Sequence, residues 1–284
     1  MDLRKFDVYQ YLKEKYAYQN SAPYFLADEN TYQTESIRFP IRTFSYGIGL
    51  TYTEDDSRIK IGSVDYQLSI GSLITIGPGI ISQWLGDCKA RHNTIYFTEE
   101  LFQNTHGTSF FKNLFFFLPG GNHMIVLNEE QIYQMKLLFD VIKQFIDEKK
   151  IIPGLIHSLI MLTIQCHQLY SKGILATSGK EKISRDFCVL LSQYLPDRKE
   201  VSFYAEKLNL TPKYLSEVLQ EVQGKSAKTM INEQIFMEAK SLLRQTHMTV
   251  QEIAHWFGYY DTSYFIKVFK RNEGMTPIEY KLLP

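Results

Sequence analysis

Two stretches of this chain repeat one another: residues 201–224, VSFYAEKLNLTPKYLSEVLQEVQG, and residues 250–274, VQEIAHWFGYYDTSYFIKVFKRNEG. The repeat constrains folding more than any other feature, because both copies must bury the same stripe, turn at the same place and stop at the same residue. Ala205 matches Ala254 and Leu208 matches Phe257 at an offset of 49. Tyr214 with Tyr264, Leu215 with Phe265, Val218 with Val268, Leu219 with Phe269 and Gly224 with Gly274 then match at 50. One residue has been added in the second turn, near Tyr260.

Each copy can be built from local chemistry. In the first, Val201, Ala205 and Leu208 form a helical stripe, and small Ala205 lets a second helix cross closely. Asn209 and Leu210 form the turn, Thr211 is placed to cap the next helix, and Pro212 is its first residue, where proline's missing N–H costs nothing. That helix buries Leu215, Val218 and Leu219, and Gly224 ends it in the left-handed conformation. In the second copy Thr249 and Glu252 have capping-box spacing, Gly258 permits the turn, Asp261 caps a helix burying Phe265, Val268 and Phe269, and Gly274 closes it. An ordinary helical bundle would share the apolar spacing. Turn, cap and stop recurring in register instead mark two helix-turn-helix units.

At these residues the chain resembles the AraC/XylS family of bacterial transcription regulators, over residues 183–284. The second copy carries the more specific likeness: IAHWFGYYDTSYFIKVFKRNEGMTPIEY is similar to the family's signature stretch, including Gly258, Ser263, Tyr264, Phe265, Phe269, Lys270, Gly274, Thr276, Pro277 and Tyr280. The connecting stretch MINEQIFMEAKSLLRQTHMTVQEIA is similar too, with Ala239, Leu242, Leu243 and Thr246 in place. Ile235 departs from the family, which usually carries arginine there, and Glu217 stands where a neutral or basic side chain is more usual. The resemblance implies double-stranded promoter DNA as partner, a homodimer, and activation through contact with RNA polymerase; repression by occlusion stays open.

A reading helix lies in the major groove with the outward residues of its first turns facing base edges. With Leu215, Val218 and Leu219 inward, the first helix presents Lys213, Ser216 and Glu217. With Phe265, Val268 and Phe269 inward, the second presents Thr262, Ser263, Ile266 and Lys267. The resemblance implies the same positions for base contact. Bulk charge is silent, since the chain carries 31 Lys and Arg against 31 Asp and Glu. Attraction to phosphate must therefore be local. Its candidates are Thr211, Lys225, Thr246, Lys270, Arg271 and Thr276. The helix joining the two units spans roughly 25 Å at 1.5 Å per residue. That is shorter than the ~34 Å between major grooves on one face of straight DNA, which predicts successive grooves read with some bending.

Residues 36 to about 127 read differently, as short β-rich runs separated by glycine and proline turns: SIRFPIRTF, SYGIGLTYT, VDYQLSI, SLITIG, IISQWL and NTIYFT. So many short strands suggest a small antiparallel barrel or sandwich. The segment VDYQLSIGSLITIGPGIISQWL also resembles the family's cupin-like sensory barrel. A barrel of this kind would hold a small-molecule effector among aromatics and a few polar groups. Arg42, Tyr46, Trp84, His92 and Tyr96 are the candidate lining residues, since they fall on expected strands. His92, His106 and His123 are spaced 14 and 17 apart with no HxH pair, so neither a metal site nor another cofactor is expected. The absence of a nucleophile elbow, a phosphate-binding glycine loop and HExxH argues against an enzyme. The aromatic run FFKNLFFFLPGG at 110–121 is expected either to plug the barrel or to bury itself between barrel and helices.

Two helical stretches follow, over residues 128–170. Asn128 and Gln131 start the first, which carries Met135, Phe139 and Ile142; Pro153 opens the second, which carries Ile156, Leu159 and Thr163. The antiparallel pair is either a lid on the barrel or a dimer surface, and the second reading assigns Phe139, Ile142, Ile156, Leu159 and Thr163 to the interface. SKGILATSGKEK, 171–182, reads as a flexible linker. Three scattered cysteines, Cys88, Cys166 and Cys188, point to a reducing cytoplasm, and no run approaches a membrane span.

The reading is thus a two-domain α+β chain. Residues 1–170 form a cupin-like antiparallel β-barrel with an antiparallel helix pair, and residues 183–284 form an all-α domain with two helix-turn-helix motifs. It describes a regulator controlled by a small-molecule effector, or alternatively by a protein partner or by abundance alone; a cupin-type enzyme with a DNA-binding module is the remaining class.

Overall fold

Glycines and β-branched runs make the N-terminal half a pair of antiparallel sheets. The computed structural model describes residues 23–28, 39–53, 57–85, 91–102, 110–173 and 179–283. Nine strands lie among them: β1 (Tyr24–Ala27), β2 (Ile41–Arg42), β3 (Tyr46–Thr51), β4 (Arg58–Ile61), β5 (Val64–Gln67), β6 (Ser72–Ile76), β7 (Ile81–Leu85), β8 (His92–Phe97) and β9 (Met124–Val126). They pair as β1-β8-β3-β6-β9 and as β2-β7-β4-β5. Expected strands SIRFPIRTF and NTIYFT are found only in part or slightly shifted, and β1, β4 and β9 were not anticipated. Pro40 explains the short β2, since proline has no N–H to donate to a ladder. The expected bounds 36–38, Gly86, Cys88 and His106 lie outside the described residues.

The first sheet is covered on both faces, and alternation along β6 shows how. Leu73 faces the helices, in a cluster with Ile48, Leu50, Ile95 and Phe97, whereas Ile74 and Ile76 face the second sheet and meet Ile59 and Ile61 of β4. Gly47 and Gly49 of β3 lie opposite Tyr96 and Thr94 of β8. A Cβ on Gly49 would come within 2.7 Å of Thr94 Oγ1, so β3 is glycine-rich where β8 lays its side chains across it. Trp84 of the second sheet stacks on His92 of the first at 4.8 Å.

Helices α1 (Glu129–Gln144) and α2 (Ile152–Gly173) form the pair on the outer face. The expected capping box is present: Gln131 N donates to Asn128 Oδ1 at 2.9 Å and Asn128 N to Gln131 Oε1 at 3.0 Å. The interface assignment needs correction, because Phe139, Ile142, Ile156, Leu159 and Thr163 are all 0% exposed within this single chain. They are the stripe that meets the sheet and its aromatic flank, the natural use of an amphipathic helix on a half-covered β surface. The apolar side chains left outside are others, among them Tyr133, Leu137, Met161 and Leu169. The aromatic run forms two 3₁₀ turns, Phe111–Asn113 and Phe115–Phe117, and buries Phe111, Phe116 and Phe117 between sheet and helices. Beneath it, His123 Nδ1 donates to the carbonyls of Thr75 and Phe116 at 3.0 and 3.1 Å, and burial pushes the imidazole pKa down to about 4.

The C-terminal half is helical: α3 (Gly179–Tyr194), α4 (Val201–Lys207), α5 (Pro212–Gln223), α6 (Ala227–Gln245), α7 (Val250–Trp256), α8 (Thr262–Glu273) and α9 (Pro277–Lys281). Both described ends of the expected linker are helical, since α2 runs to Gly173 and α3 starts at Gly179; residues 174–178 lie outside the described residues. The two halves share a core. Phe25, Phe39, Ile41 and Tyr96 join the cluster built from Phe187, Leu215, Ile235, Phe265 and Phe269. Ile235, the departure from the family pattern, is 1% exposed in that core.

Candidate nucleic-acid interface

Local hydrogen bonds position both reading helices, and they do so in parallel. In the first unit Leu210 N donates to Ala205 O at 2.8 Å; in the second Tyr259 N donates to Ala254 O at 2.8 Å. The residue inside each turn is left-handed, Asn209 at φ 56° and Gly258 at φ 64°, conformations that asparagine and glycine adopt at least cost. Thr211 Oγ1 then accepts from Tyr214 N at 3.2 Å, and Asp261 Oδ1 from Ser263 N at 2.8 Å. Gly224 and Gly274 close α5 and α8 at φ 69° and 78°. Lys199 ties the second turn to the loop before α4, donating to the Phe257 carbonyl and sitting 4.4 Å over the Tyr259 ring, a cation–π contact.

The outward faces carry the expected base readers. On α5, Lys213 and Glu217 are exposed and Ser216 half-buried. The two charges lie 3.9 Å apart at i and i+4, a surface pair of small net worth that either partner can leave. On α8, Ser263 and Lys267 are exposed and Thr262 and Ile266 half-buried. Helix α6, 19 residues long, spans about 28 Å between the units at 1.5 Å per residue.

The expected phosphate contacts divide. Lys270 and Arg271 are exposed in the last turns of α8. Thr211 and Thr276 are N-caps, Thr276 Oγ1 accepting from Glu279 N at 3.2 Å. Thr246 is 6% exposed, with its hydroxyl donating to Leu242 O at 2.7 Å. In this arrangement it ends α6. Lys225 is engaged elsewhere: Nζ reaches Glu233 Oε2 at 2.8 Å and Ser63 O at 3.3 Å. Lys60 of β4 meets the same carboxylate at 3.2 Å. Lys225 is therefore a tie between the halves in this structure, because Glu233, eight residues on and about two turns into α6, also meets Lys60 of the sheet. Tyr260, the added residue of the second turn, is 97% exposed at the entrance to α8. The broken offset of the repeat was its only signal in the sequence.

The five residues expected around an effector do not gather. Tyr46 is 6% exposed, stacks on Phe97 at 5.5 Å and donates to Glu99 Oε1 at 2.6 Å; burial, then the bond to Glu99, pushes its pKa up. Trp84 and His92 cover one another between the sheets. Tyr96 stacks on Phe25 at 6.5 Å. Arg42 is an interdomain residue, with a guanidinium nitrogen 2.8 Å from Glu238 Oε1 of α6 and another donating to Gly79 O at 3.0 Å. A cavity of about 470 Å³ opens instead between the β4–β5 hairpin, the 115–123 segment and helices α3, α5 and α6, and none of the five lines it. Among the described residues no group of three or more His, Cys, Asp or Glu could hold a metal ion, and no helix is long and apolar enough to cross a membrane.

Residues 204–282 match a family model described as a helix-turn-helix domain. Over 104 residues the chain is 31% identical to the uncharacterized HTH-type transcriptional regulator YisR of Bacillus subtilis, covering 37% of this chain and 36% of that protein. It is 31% identical over 98 residues to the arabinose operon regulatory protein of Salmonella typhimurium, covering 34% and 35%. Among solved structures it is similar to the C-terminal domain of the two-component response regulator yesN from Fusobacterium nucleatum, with 30% identity and a TM-score of 0.32, covering 36% of this chain and 96% of that one. The match thus spans about a third of the length of these curated relatives. The matched residues are those of the two capped, glycine-stopped units and the helix between them: this chain carries an AraC-type helix-turn-helix domain over residues 204–282.

Proposed function

We propose that the chain is a sequence-specific, DNA-binding transcription regulator whose N-terminal half controls how the helical half meets promoter DNA. One observation carries the reading: α5 and α8 present Lys213, Glu217, Ser263 and Lys267 outward from one shared core, joined by a single helix. A connecting helix about 28 Å long between the two units suits successive major grooves, with bending to make up the distance to ~34 Å. Lys213, Ser216, Glu217, Thr262, Ser263 and Lys267 are the proposed base readers, and Thr211, Lys270, Arg271 and Thr276 the proposed phosphate contacts. The arabinose operon regulatory protein and the other curated relatives are named as regulators, which supports regulation over catalysis. Activation and a homodimer are carried into this reading by the family resemblance alone, and action in the cytoplasm by the scattered cysteines.

Selection of bound duplexes from a random library by the full chain tests the proposal. A bipartite site with its two elements about one helical turn apart is expected. Equal recovery of all sequences, or a single short element, would overturn it. Circular-permutation gel shifts on the selected site check the bend, and straight DNA would remove that clause.

A further inference from the structure

The interdomain cavity offers a recognition chemistry that the barrel residues do not. Its volume of about 470 Å³ falls within the ~300–1,000 Å³ of small-molecule sites. Ile61, Val64, Ile80, Phe115, Leu191 and Val222 supply apolar walls. Three polar groups lining it have protons left to give. Ser184, 2% exposed, already accepts from Gln223 Nε2 at 3.0 Å, so its own hydroxyl proton is uncommitted. The Tyr66 oxygen accepts from the His123 backbone N–H, while burial pushes the phenol pKa up to about 12, so it too stays protonated and donates. Arg185, half-buried on α3, has no ion pair with any described residue and only donors to offer. The single carboxylate lining the cavity, Glu181, is exposed at its rim.

Donors facing apolar walls call for a ligand with the opposite inventory. We propose that this cavity binds a small organic anion, an apolar body bearing one carboxylate-like head that sits against Arg185, Ser184 and Tyr66. A cation would meet the charge of Arg185, and a neutral hydrocarbon would leave three donors unmatched. The site rests on the regulatory reading above only for its consequence. Val222 and Gln223 belong to the last turns of α5, and Ser63 of the opposite wall holds Lys225 just beyond that helix. A ligand there touches both sides of the joint, so its binding is coupled to the placement of the first reading unit.

Titration of the full chain with two fluorescent probes tests this: 8-anilinonaphthalene-1-sulfonate, and N-phenyl-1-naphthylamine, which has the same rings without the anion. Saturable binding of the sulfonate is expected. Arg185→Gln should weaken it by about tenfold or more, the worth of one charge-assisted hydrogen bond, with Arg185→Lys recovering part and the neutral probe unaffected. Val64→Trp, which fills the cavity from the exposed hairpin, should weaken both probes. An unchanged sulfonate affinity in Arg185→Gln, or unchanged binding of both probes in Val64→Trp, would overturn the site. A sulfonate that binds as expected without moving affinity for the selected DNA overturns the coupling and leaves the site standing. A chain that selects no DNA while the probe results hold overturns the regulatory reading alone.

Discussion

The two helix-turn-helix units share their hydrogen bonds but differ in what lies behind them. Both have the same turn bond, a left-handed turn residue, an N-cap and a left-handed stop. The first unit is built into the joint between the halves: Gln223 bonds Ser184 of α3, Val222 lines the interdomain cavity, and Lys225 is bound to Glu233 and Ser63. The second stands away from that cavity, with exposed Lys267, Lys270 and Arg271 and the fully exposed Tyr260. Duplication supplied two similar reading heads. Tertiary packing made the first the one a cavity ligand can move, and left the second as the more cationic grip.

The largest test of the comparison is whether the units stand or fall together. Leu215 and Phe265 occupy matched positions, are both 0% exposed, and belong to one cluster. Leu215→Ala should cost about 2–5 kcal/mol and Phe265→Ala about 3–5 kcal/mol in urea denaturation, each in a single transition of the helical half. Two separate transitions would show that the units fold independently.

Acid should separate the halves in the next largest effect. His123 in the N-terminal half is held neutral with its pKa lowered to about 4, against ~6.5 in an unfolded chain. The unfolded state then takes up the proton first, so this stability is present above pH ~6.5 and lost as pH falls toward ~4, by up to about 3 kcal/mol. Denaturation curves between pH 7 and pH 4 should show this loss, and His123→Asn should flatten it. A variant as acid-sensitive as the parent would place the effect elsewhere.

DNA binding sharpens the asymmetry at smaller magnitude. Glu217→Ala should relax preference at one base position by about 1–3 kcal/mol, as expected of a carboxylate accepting from cytosine N4. Lys270→Ala, at an exposed proposed phosphate contact, should weaken all sequences and flatten the salt slope by about one unit. Equal tightening on every duplex by Glu217→Ala would make that residue a repulsive bystander. The smallest effect lies in the turns: Gly258→Ala places a Cβ in a left-handed residue and should cost about 1–2 kcal/mol. Asn209→Gly, at the matched position, should leave thermal stability nearly unchanged; a large loss there would mean that the Asn209 side chain, not its backbone, holds the first turn.

How much of this was legible depended on distance along the chain. The caps at Thr211, Thr249 and Asp261 and the stops at Gly224 and Gly274 were readable because each is settled by partners within about four residues. Strands β1, β4 and β9 were not, being three or four residues long and set by neighbours far away in the chain. Periodicity marked Phe139, Ile142, Ile156 and Leu159 as one apolar face but could not name what covers it. The same ambiguity hid the engagement of Lys225, which is exposed in any local reading and meets Ser63 only when the hairpin comes across.

By itself the sequence determined two reading units, their order, their turns and the side chains each turns outward, because backbone hydrogen bonding and side-chain period are local physics. Only the tertiary structure decided which unit lines the interdomain cavity, which cations are already paired, and where that cavity opens. Those are properties of surfaces contributed by segments more than a hundred residues apart, as with Lys60 and Glu233 or Arg42 and Glu238, and nothing in the order of residues along either segment encodes the other.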